Sequence, residues 1–521
     1  MSWKGDLERV DDHRWRIPKG SVPCMRTDAI IFASESMLPS ISEDNSILQA
    51  ANVACLPGIV GSSVAMPDVH WGYGFPIGGV AAVDAGTGFI SPGGIGFDIN
   101  CGVRLIRTDL REKDLTGKLG ALMDTIYANV PSGLGSKGLG RLTRDQINDV
   151  LRNGSRWAVE NGFGWDDDLD VTENGGCMSG ADPSKVSDKA KERGIPQLGS
   201  LGSGNHFLEL DIVDEIFDED TAGIFGLEKG TVTVTVHCGS RGCGHQIATD
   251  YIQRMERYVR KHNISLPDPQ LACAPLDSEE GADYFAAMSC GANYAWANRQ
   301  MITHWVRESF EKVFGSSAGD LGMRMVYDVA HNIAKKERHK VDGRETEVLV
   351  HRKGATRAFP AGHPDVPERY RAAGQPVIVP GDMSVGTYVL VGLPGAMDLS
   401  FGSSCHGAGR RMSRKAALRS IRASDVKADM KKDGIILRSG SDGGLVEEAP
   451  QTYKDVEEVV SVVSGSGLAG KVAKLRPVGV IKIVLSRKPS SPSPHARRAP
   501  TRLWPSRISR GSAAPWPEAR S

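Results

Sequence analysis

Short runs of apolar and alternating residues predict several β-strands in this chain. Residues 230–236 alternate Thr and Val, a period of two that is typical of a strand. Residues 377–379 and 388–392 are short apolar runs on either side of a Pro-Gly turn, and residues 325–329 are strand-like as well. The strand at 230–236 would deliver His237 at its carboxyl end.

Longer stretches without proline carry apolar residues at helical spacing. They predict helices over residues 247–262 and 283–314, with Gly291 marking a break in the second. Residues 410–422 indicate the start of a basic helix directly after a Gly-rich turn. Strands and helices do not alternate in a βαβ rhythm, which favours an α+β fold over a doubly wound sheet. Composition is even from about residue 20 to residue 482, which predicts one large mixed α/β domain over residues 1–482, with an inserted helical segment as the alternative.

The last 39 residues differ in composition from everything before them. Residues 483–521 are rich in Pro, Ser and Arg and carry a net charge of +7, so the preceding part carries −7 within a chain of zero net charge. Such a segment buries too little apolar surface to fold, and we expect disorder. It is interpreted either as a basic nucleic-acid-binding arm or as a nonfunctional extension, and the extension is favoured.

Composition elsewhere is that of a water-soluble globular protein. We expect neither a signal peptide, because the amino terminus has no apolar run, nor a membrane span, because no run of about 18 apolar residues occurs. The nine cysteines form no CxxC pair, and a chain of 521 residues needs no disulfides to build a core. We therefore expect free thiols in the cytoplasm.

A first group of polar residues lies among glycines in Gly93–Gly102. Asp98 and Cys101 are three residues apart there, and a carboxylate with a thiolate suits a divalent transition metal. A buried structural cysteine beside a turn aspartate is an equally good interpretation of this segment alone.

Three histidines lie in similar surroundings further along the chain. His206 follows a Gly/Ser-rich turn whose N–H groups could bind phosphate, His237 ends the Thr-Val strand, and His331 follows residues 325–329. Each alone is more often a satisfied polar residue than a ligand. Together with Asp98 and a Cys101 sulfur able to bridge two ions, they make a two-metal site plausible.

His406 lies between small residues and is followed by Gly-Ala-Gly and two arginines. This setting favours a nucleophile with open approach, because imidazole can attack phosphorus to give a phosphoramidate. His70, in the segment Met66–Pro76, is interpreted with equal weight as a site residue or a structural one.

In their order, these motifs resemble the RtcB family of RNA ligases. The segments are PDVHWGYGFPIGG, GGIGFDINCGVR, GSLGSGNHFLEL, HCGSRGCGH, AHN, PGDM, SSCHGAGR and the run Lys474–Lys482. The resemblance covers about residues 10–482 and implies the fold of that family, with a central metal and nucleotide cleft. It implies an enzyme that uses two Mn²⁺ ions and GTP. The enzyme would join RNA with a 2′,3′-cyclic phosphate or 3′-phosphate to RNA with a 5′-hydroxyl, in tRNA splicing or RNA repair.

The resemblance also assigns roles to individual residues. It implies one metal held by Asp98, Cys101 and His206, a second held by Cys101, His237 and His331, and guanylylation of His406. The implied nucleotide contacts are Asn205, His206, Phe207, Leu208, Glu209, His331, Asn332, Pro380, Gly381, Asp382, Met383, Thr387, His406, Gly407, Ala408, Gly409, Tyr453 and Lys482. The implied RNA contacts are Arg193, Gln197, Arg241 and Arg414.

The sequence departs from the family pattern in two places. Relatives usually end just after the lysine that matches Lys482, so the added residues 483–521 suggest a shifted reading frame or a lost stop codon. Asp382 stands where some relatives carry serine, which would change how the nucleotide is held.

Two other classes of function compete with an RNA ligase. A two-metal phosphoesterase could use the same ligands but has no need of the SSCHGAGR segment, and a noncatalytic RNA-binding scaffold has no need of a bridging thiolate. The ligase interpretation implies RNA as partner, in the form of tRNA halves or broken RNA, and adds archease, an activating protein that some family members use. No membrane partner is expected, and a monomer is favoured.

Overall fold

Two large sheets contain most of the strands in this computed structural model, which describes Trp3 and residues 5–131 and 142–482. The strands are β1 (Glu8–Arg9), β2 (Arg14–Ile17), β3 (Ala29–Phe32), β4 (Ile59–His70), β5 (Ile77–Asp84), β6 (Phe89–Ile90), β7 (Gly102–Arg111), β8 (Phe207–Ile216), β9 (Thr231–Cys238), β10 (Ala274–Pro275), β11 (Arg324–Ala330), β12 (Asn332–Val341), β13 (Arg344–Lys353), β14 (Ala355–Arg357), β15 (Pro376–Pro380), β16 (Thr387–Gly392), β17 (Ser403–Cys405), β18 (Ile436–Ser439) and β19 (Ala469–Lys482).

One sheet has the strand order β1-β2-β3-β4-β5-β13-β12, and the other has the order β11-β7-β9-β8-β19-β16-β15, with β18 added in parallel to β19. Two two-stranded ribbons, β10-β6 and β14-β17, complete the pairing among the described residues. The chain crosses between the large sheets at His331, because β11 ends at Ala330 in one sheet and β12 begins at Asn332 in the other.

The described part of the chain also contains α-helices, of which the longest is largely buried. They are α1 (Leu38–Glu43), α2 (Ser46–Val53), α3 (Leu119–Asn129), α4 (Arg144–Asn153), α5 (Ser155–Glu160), α6 (Asp167–Asp170), α7 (Asp188–Gly194), α8 (Glu219–Phe225), α9 (Arg241–Lys261), α10 (Glu279–Phe314), α11 (Pro394–Ser400), α12 (Arg414–Ser420), α13 (Ala423–Lys432), α14 (Asp442–Glu447) and α15 (Val456–Gly465). The fold is mixed α and β, which confirms the predicted class. It contains the predicted strands as β9, β11, β15 and β16 and the two long helices as α9 and α10.

Two local predictions were wrong. Helix α10 continues through Gly291 without a break, because that glycine is buried and a β-carbon there would lie 3.2 Å from Ile99 Cδ1. The missing side chain makes room for a neighbour and does not interrupt the helix. The basic helix begins at Arg414 and not at Arg410, because Arg410 forms an isolated bridge with Tyr453 first.

The cysteines also differ from expectation. Cys24 and Cys55 form a disulfide, while the other seven thiols are free. Hydrogen bonds from Arg26 to the carbonyls of Ala54 and Cys55 hold the segment around Cys24 against the end of α2, with the two cysteine Cα atoms 5.1 Å apart.

The predicted disordered tail, residues 483–521, lies outside the described residues. Within the described part, no helix combines the length and the apolar character needed to cross a membrane.

Candidate functional site

Five strands bring residues that are far apart in sequence to one end of the larger sheet. Because neighbouring strands are antiparallel, the beginnings of β7 and β8 meet the ends of β9, β11 and β19. The register pairs Gly102 with Cys238, Phe207 with His237, and Lys482 with Phe207. Cys101, His206 and His331 each adjoin one of these strand ends. The topology therefore makes a cluster that no short sequence motif contains.

One half of the cluster consists of Asp98, Cys101 and His206, whose candidate ligand atoms all lie within 4.8 Å of one another. His206 Nε2 is 2.8 Å from Asp98 Oδ2 and 3.3 Å from Cys101 Sγ. Zinc-type ions bind sulfur at about 2.3 Å and nitrogen at about 2.0–2.1 Å, so donors spaced like this can share one ion.

Cys101, His237 and His331 form the other half on the same distance criterion. His237 Nε2 is 3.2 Å from Cys101 Sγ and 3.4 Å from His331 Nε2. Cys101 belongs to both groups, so its sulfur is the atom that could bridge two ions. The five residues singled out from the sequence thus lie together in the fold.

Burial determines the protonation of these groups in the absence of a cation. It lowers the pKa values of His237 and His331 well below the usual range, which keeps both imidazoles neutral and able to bind a metal. It raises the pKa of the Cys101 thiol to about 12, with the Asp98 carboxylate adding to the effect. The pKa of Asp98 would also rise on burial, but contact with His206 lowers it to about 2.

Helix α10 holds the loops that carry the ligands. Arg299 donates to the carbonyls of Asn100 and Cys238, both at 2.8 Å, and is paired with the buried Asp328 at 2.7 Å. Asn298 accepts from the backbone N–H groups of Gly199 and Ser200. One turn of a buried helix therefore fixes the three segments that precede β7, precede β8 and follow β9.

His406 lies beside this cluster with one ring nitrogen already engaged. Its Nδ1 is 2.5 Å from Asp68 Oδ2, and its backbone N–H donates to the same oxygen at 3.0 Å. The His406 and His331 rings are 4.9 Å apart. A proton on Nδ1 that is held by the carboxylate leaves the lone pair on Nε2, which is the arrangement a nucleophilic imidazole requires.

A cavity of about 760 Å³ opens over His406 and the metal-ligand cluster. Most of the residues predicted to contact nucleotide line it, namely Asn205, Phe207, Glu209, His331, Asn332, Pro380, Gly381, Asp382, Met383, His406, Gly407, Ala408, Gly409, Tyr453 and Lys482. His206 lies behind the wall. Leu208 and Thr387 do not line the cavity, because alternation along β8 directs Leu208 into the core and Thr387 is fully buried.

Glu448, which the sequence did not single out, organises one wall. This buried carboxylate accepts from Arg414 at 3.0 Å and from the Tyr453 hydroxyl, and lies 3.3 Å from Arg410 Nη1 and 3.7 Å from Lys482 Nζ. Burial would raise its pKa, but Lys482 and the two arginines lower it. No pattern in the sequence marks Glu448, because Arg410, Arg414 and Lys482 lie outside its local segment.

The predicted RNA contacts lie in two places. Gln197 accepts from the backbone of Gly242, and Arg193 donates to Gln246 at 2.9 Å, so both lie against the start of α9 beside Arg241. Arg414 lines the cavity and is in contact with Glu448.

Other residues of the site were not identified from sequence. Asp68 is separated from His406 by 338 positions, although it lies in the segment that contains His70. His70 itself lines the cavity, and burial lowers its pKa to about 3. Lys353 is buried at the cavity wall and donates to the carbonyls of Tyr73, Phe75 and Gly93.

The chain is similar in sequence to known proteins over most of its length. Residues 49–483 match the family model described as tRNA-splicing ligase RtcB. The chain is 56% identical to the tRNA-splicing ligase RtcB of Thermococcus kodakarensis over 476 residues, which is 91% of this chain and 98% of that protein. It is 55% identical to the protein of the same name from Methanococcus maripaludis, covering 92% of this chain and 100% of the relative. The corresponding protein of Archaeoglobus fulgidus is 53% identical with the same coverage.

Proposed function

The chain belongs to the RtcB family, and from this premise we propose that it is a GTP-dependent RNA ligase acting in tRNA splicing or RNA repair. Its substrates would be an RNA 2′,3′-cyclic phosphate or 3′-phosphate end and an RNA 5′-hydroxyl end, as in tRNA halves or broken RNA. Archease is proposed as a partner, and the cytoplasm as the location. Residues 1–482 would form the ligase domain, and the acceptor of the nucleotide would be His406.

The donor set fits two divalent cations, which we propose are Mn²⁺. Three imidazoles, a carboxylate and a thiolate shared by both groups are the ligands that borderline transition metals accept. When bound, two such ions would neutralise phosphate charge and polarise phosphorus. Asp98, Cys101 and His206 would hold one, and Cys101, His237 and His331 the other.

The first step would be attack by His406 on GTP. The Nε2 lone pair forms a bond to the α-phosphorus while the bond from that phosphorus to the bridging oxygen breaks, and pyrophosphate leaves. Asp68 keeps the proton on Nδ1 and compensates the positive charge that develops on the ring. The guanine would be held near Glu209 and Lys482, which line the same cavity.

The remaining steps would transfer and then release GMP. A cyclic end is first hydrolysed to a 3′-phosphate. An oxygen of that phosphate attacks the phosphorus on His406, so a phosphorus–oxygen bond replaces the phosphorus–nitrogen bond. The 5′-hydroxyl oxygen then attacks the RNA 3′-phosphorus and loses its proton, and GMP leaves as the phosphodiester forms. Arg193, Gln197, Arg241 and Arg414 would hold RNA phosphates.

The observation that carries the proposal is the position of His406. Its Nδ1 is bound to the Asp68 carboxylate, and the residue lines the cavity next to two groups of candidate metal ligands, which fits a nucleophile for a nucleotide phosphate.

Labelling with GTP tests the assignment. Wild type incubated with GTP labelled at the α-phosphorus and Mn²⁺ should retain an acid-labile label, and His406→Ala should retain none. The control is His363→Ala, a histidine outside the cavity. An unlabelled wild type, or an undiminished label on His406→Ala, would overturn the ligase proposal and favour a two-metal phosphoesterase.

A further inference from the structure

Trp71 lines the cavity and is unusually exposed for a tryptophan. Its side chain is 62% exposed, more than any other exposed large hydrophobic residue in the described part of the chain. It lines the cavity that contains His406, and its indole has no aromatic or hydrogen-bonded partner among the described residues. An exposed indole that also lines a cavity offers an apolar face on which a ligand in that cavity could stack.

The backbone that presents Trp71 is held firmly. The Trp71 N–H donates to Asp44 Oδ2 at 3.1 Å, and Gly72 exchanges two hydrogen bonds with the Gln49 amide at 3.0 and 2.7 Å. On the far side, the buried Lys353 amine binds the carbonyls of Tyr73 and Phe75. A fixed loop offers the indole as a preformed surface, which reduces the entropy lost on binding.

Three further aromatic rings lie in contact with one another near the same cavity. Tyr73 and Phe97 also line the cavity, with ring centroids 5.4 Å apart, and Phe97 stacks on the exposed His245 at 5.1 Å. His245 belongs to α9. The neighbouring Gly242 and Gln246 on that helix contact Gln197 and Arg193, which were assigned to RNA phosphates. These rings therefore extend from the cavity lining to the helix that contacts two of the proposed RNA-phosphate residues.

We propose that Trp71 is a stacking platform for an unpaired base next to the reactive end of the RNA, with Tyr73, Phe97 and His245 continuing the path of the strand. The proposal rests on the RNA-ligase function. Stacking on aromatic rings tolerates any base, because every base has a π-face, and so suits an enzyme that joins ends of varied sequence. Glu43 and Asp44 line the same part of the cavity and disfavour a phosphate there, which assigns the base and not the backbone to the indole.

A coupling experiment between protein and RNA tests this assignment. Single-stranded RNAs ending in a 3′-phosphate or in a 5′-hydroxyl are prepared intact and with one abasic nucleotide at each of the three positions nearest that end. Binding is measured by fluorescence anisotropy for wild type, Trp71→Ala, Trp71→Phe and Phe217→Ala. The last variant removes another partly exposed aromatic ring, which is outside the cavity.

Trp71→Ala should bind intact RNA about tenfold more weakly, while Trp71→Phe and Phe217→Ala stay close to wild type. One abasic position should weaken wild-type binding by a similar factor and should not weaken Trp71→Ala further. The end that shows this coupling identifies which RNA is stacked. The proposal would be overturned if an abasic position weakened binding equally in wild type and in Trp71→Ala, or if Trp71→Ala bound intact RNA as tightly as wild type. Either result would favour a protein partner as the ligand of the indole.

Failure of this inference is separable from failure of the ligase function. A wild type that takes label from GTP but shows no coupling loses only the stacking platform. A wild type that shows the coupling but takes no label keeps the platform and loses the ligase assignment.

Discussion

At the scale of single residues, the contact between Asp68 and His406 would determine which ring nitrogen acts in the proposed reaction. A carboxylate that holds the Nδ1 proton keeps the Nε2 lone pair directed away from it and stabilises the positive ring in the transition state. The same carboxylate oxygen also accepts from the His406 backbone N–H, so ring and backbone are positioned together.

Replacing Asp68 with Asn should therefore slow guanylylation without removing the nucleophile. We expect the rate of label transfer from GTP to fall by about 100-fold, because the amide is uncharged and can present its N–H₂ group to the ring. His406→Ala, which lacks the proposed nucleophile, gives the background signal of the assay. A rate within a few-fold of wild type, at unchanged Mn²⁺ content, would contradict the role given to Asp68.

Cys101 is the residue on which both proposed metal positions depend. Wild type should bind two Mn²⁺ ions per chain, His206→Ala should keep one, and Cys101→Ala should keep fewer than one because each position loses a ligand. Metal content after gel filtration measures this, and Cys177→Ala, a thiol outside both groups, is the control. Two ions retained by Cys101→Ala would rule out a bridging sulfur.

At the scale of elements, β8 places two carboxylates on one buried face. Alternation directs Glu209 and Asp211 to the same side, and Asp211 is fully buried with a hydrogen bond from Thr235 at 2.8 Å. Burial raises the pKa of Asp211 to about 7, and burial together with Asp211 raises the pKa of Glu209 well above its usual range. Strand β8 therefore makes an unfavourable contribution to the free energy of folding, and the size of this contribution depends on pH.

The sign of that dependence follows from proton uptake. Between pH 4 and 7 the folded chain holds a proton on Asp211 that the unfolded chain has released, so stability falls as pH rises through this window. Asp211→Asn removes this unfavourable contribution, because the amide does not ionise. Its free energy of unfolding should equal that of wild type near pH 4 and exceed it by about 2–4 kcal/mol at pH 8.

Urea denaturation at several pH values measures the difference. Asp214→Asn, an exposed change on the same strand, should alter stability by less than about 0.5 kcal/mol throughout. A difference between Asp211→Asn and wild type that does not grow with pH would contradict a buried, protonated Asp211.

At the scale of the whole molecule, sequence patterns predicted strands, helices and a set of candidate metal ligands that share one site, but they did not identify the other residues that contact this site. Thr-Val alternation predicted β9, and the histidines were found because each stands at the end of a strand or after a glycine turn. Asp68 was missed because its partner His406 lies 338 positions away, and Glu448 was missed because Arg410, Arg414 and Lys482 lie outside its local segment. The missing break at Gly291 has the same origin, since tertiary packing against Ile99 overrides the helix propensity of glycine.

Tertiary contacts also hold Lys482, the last residue that the structure describes. Its backbone is paired with Phe207 on β8 and with Ser439 on β18, and its amine lies 5.5 Å from the Phe207 ring. These contacts hold the lysine from within the described domain, and we expect its position to be kept when residues 483–521 are removed.

A chain shortened to residues 1–482 should thus be guanylylated within about twofold of the full rate, whereas Lys482→Ala in the full chain should lose about tenfold or more. The two interpretations of the tail differ in RNA binding, because a basic arm with a net charge of +7 would steepen the decrease of affinity with salt. Equal salt slopes for the full and shortened chains indicate a nonfunctional extension. A shortened chain as slow as Lys482→Ala would show instead that the tail positions the lysine, against the pairing of β19.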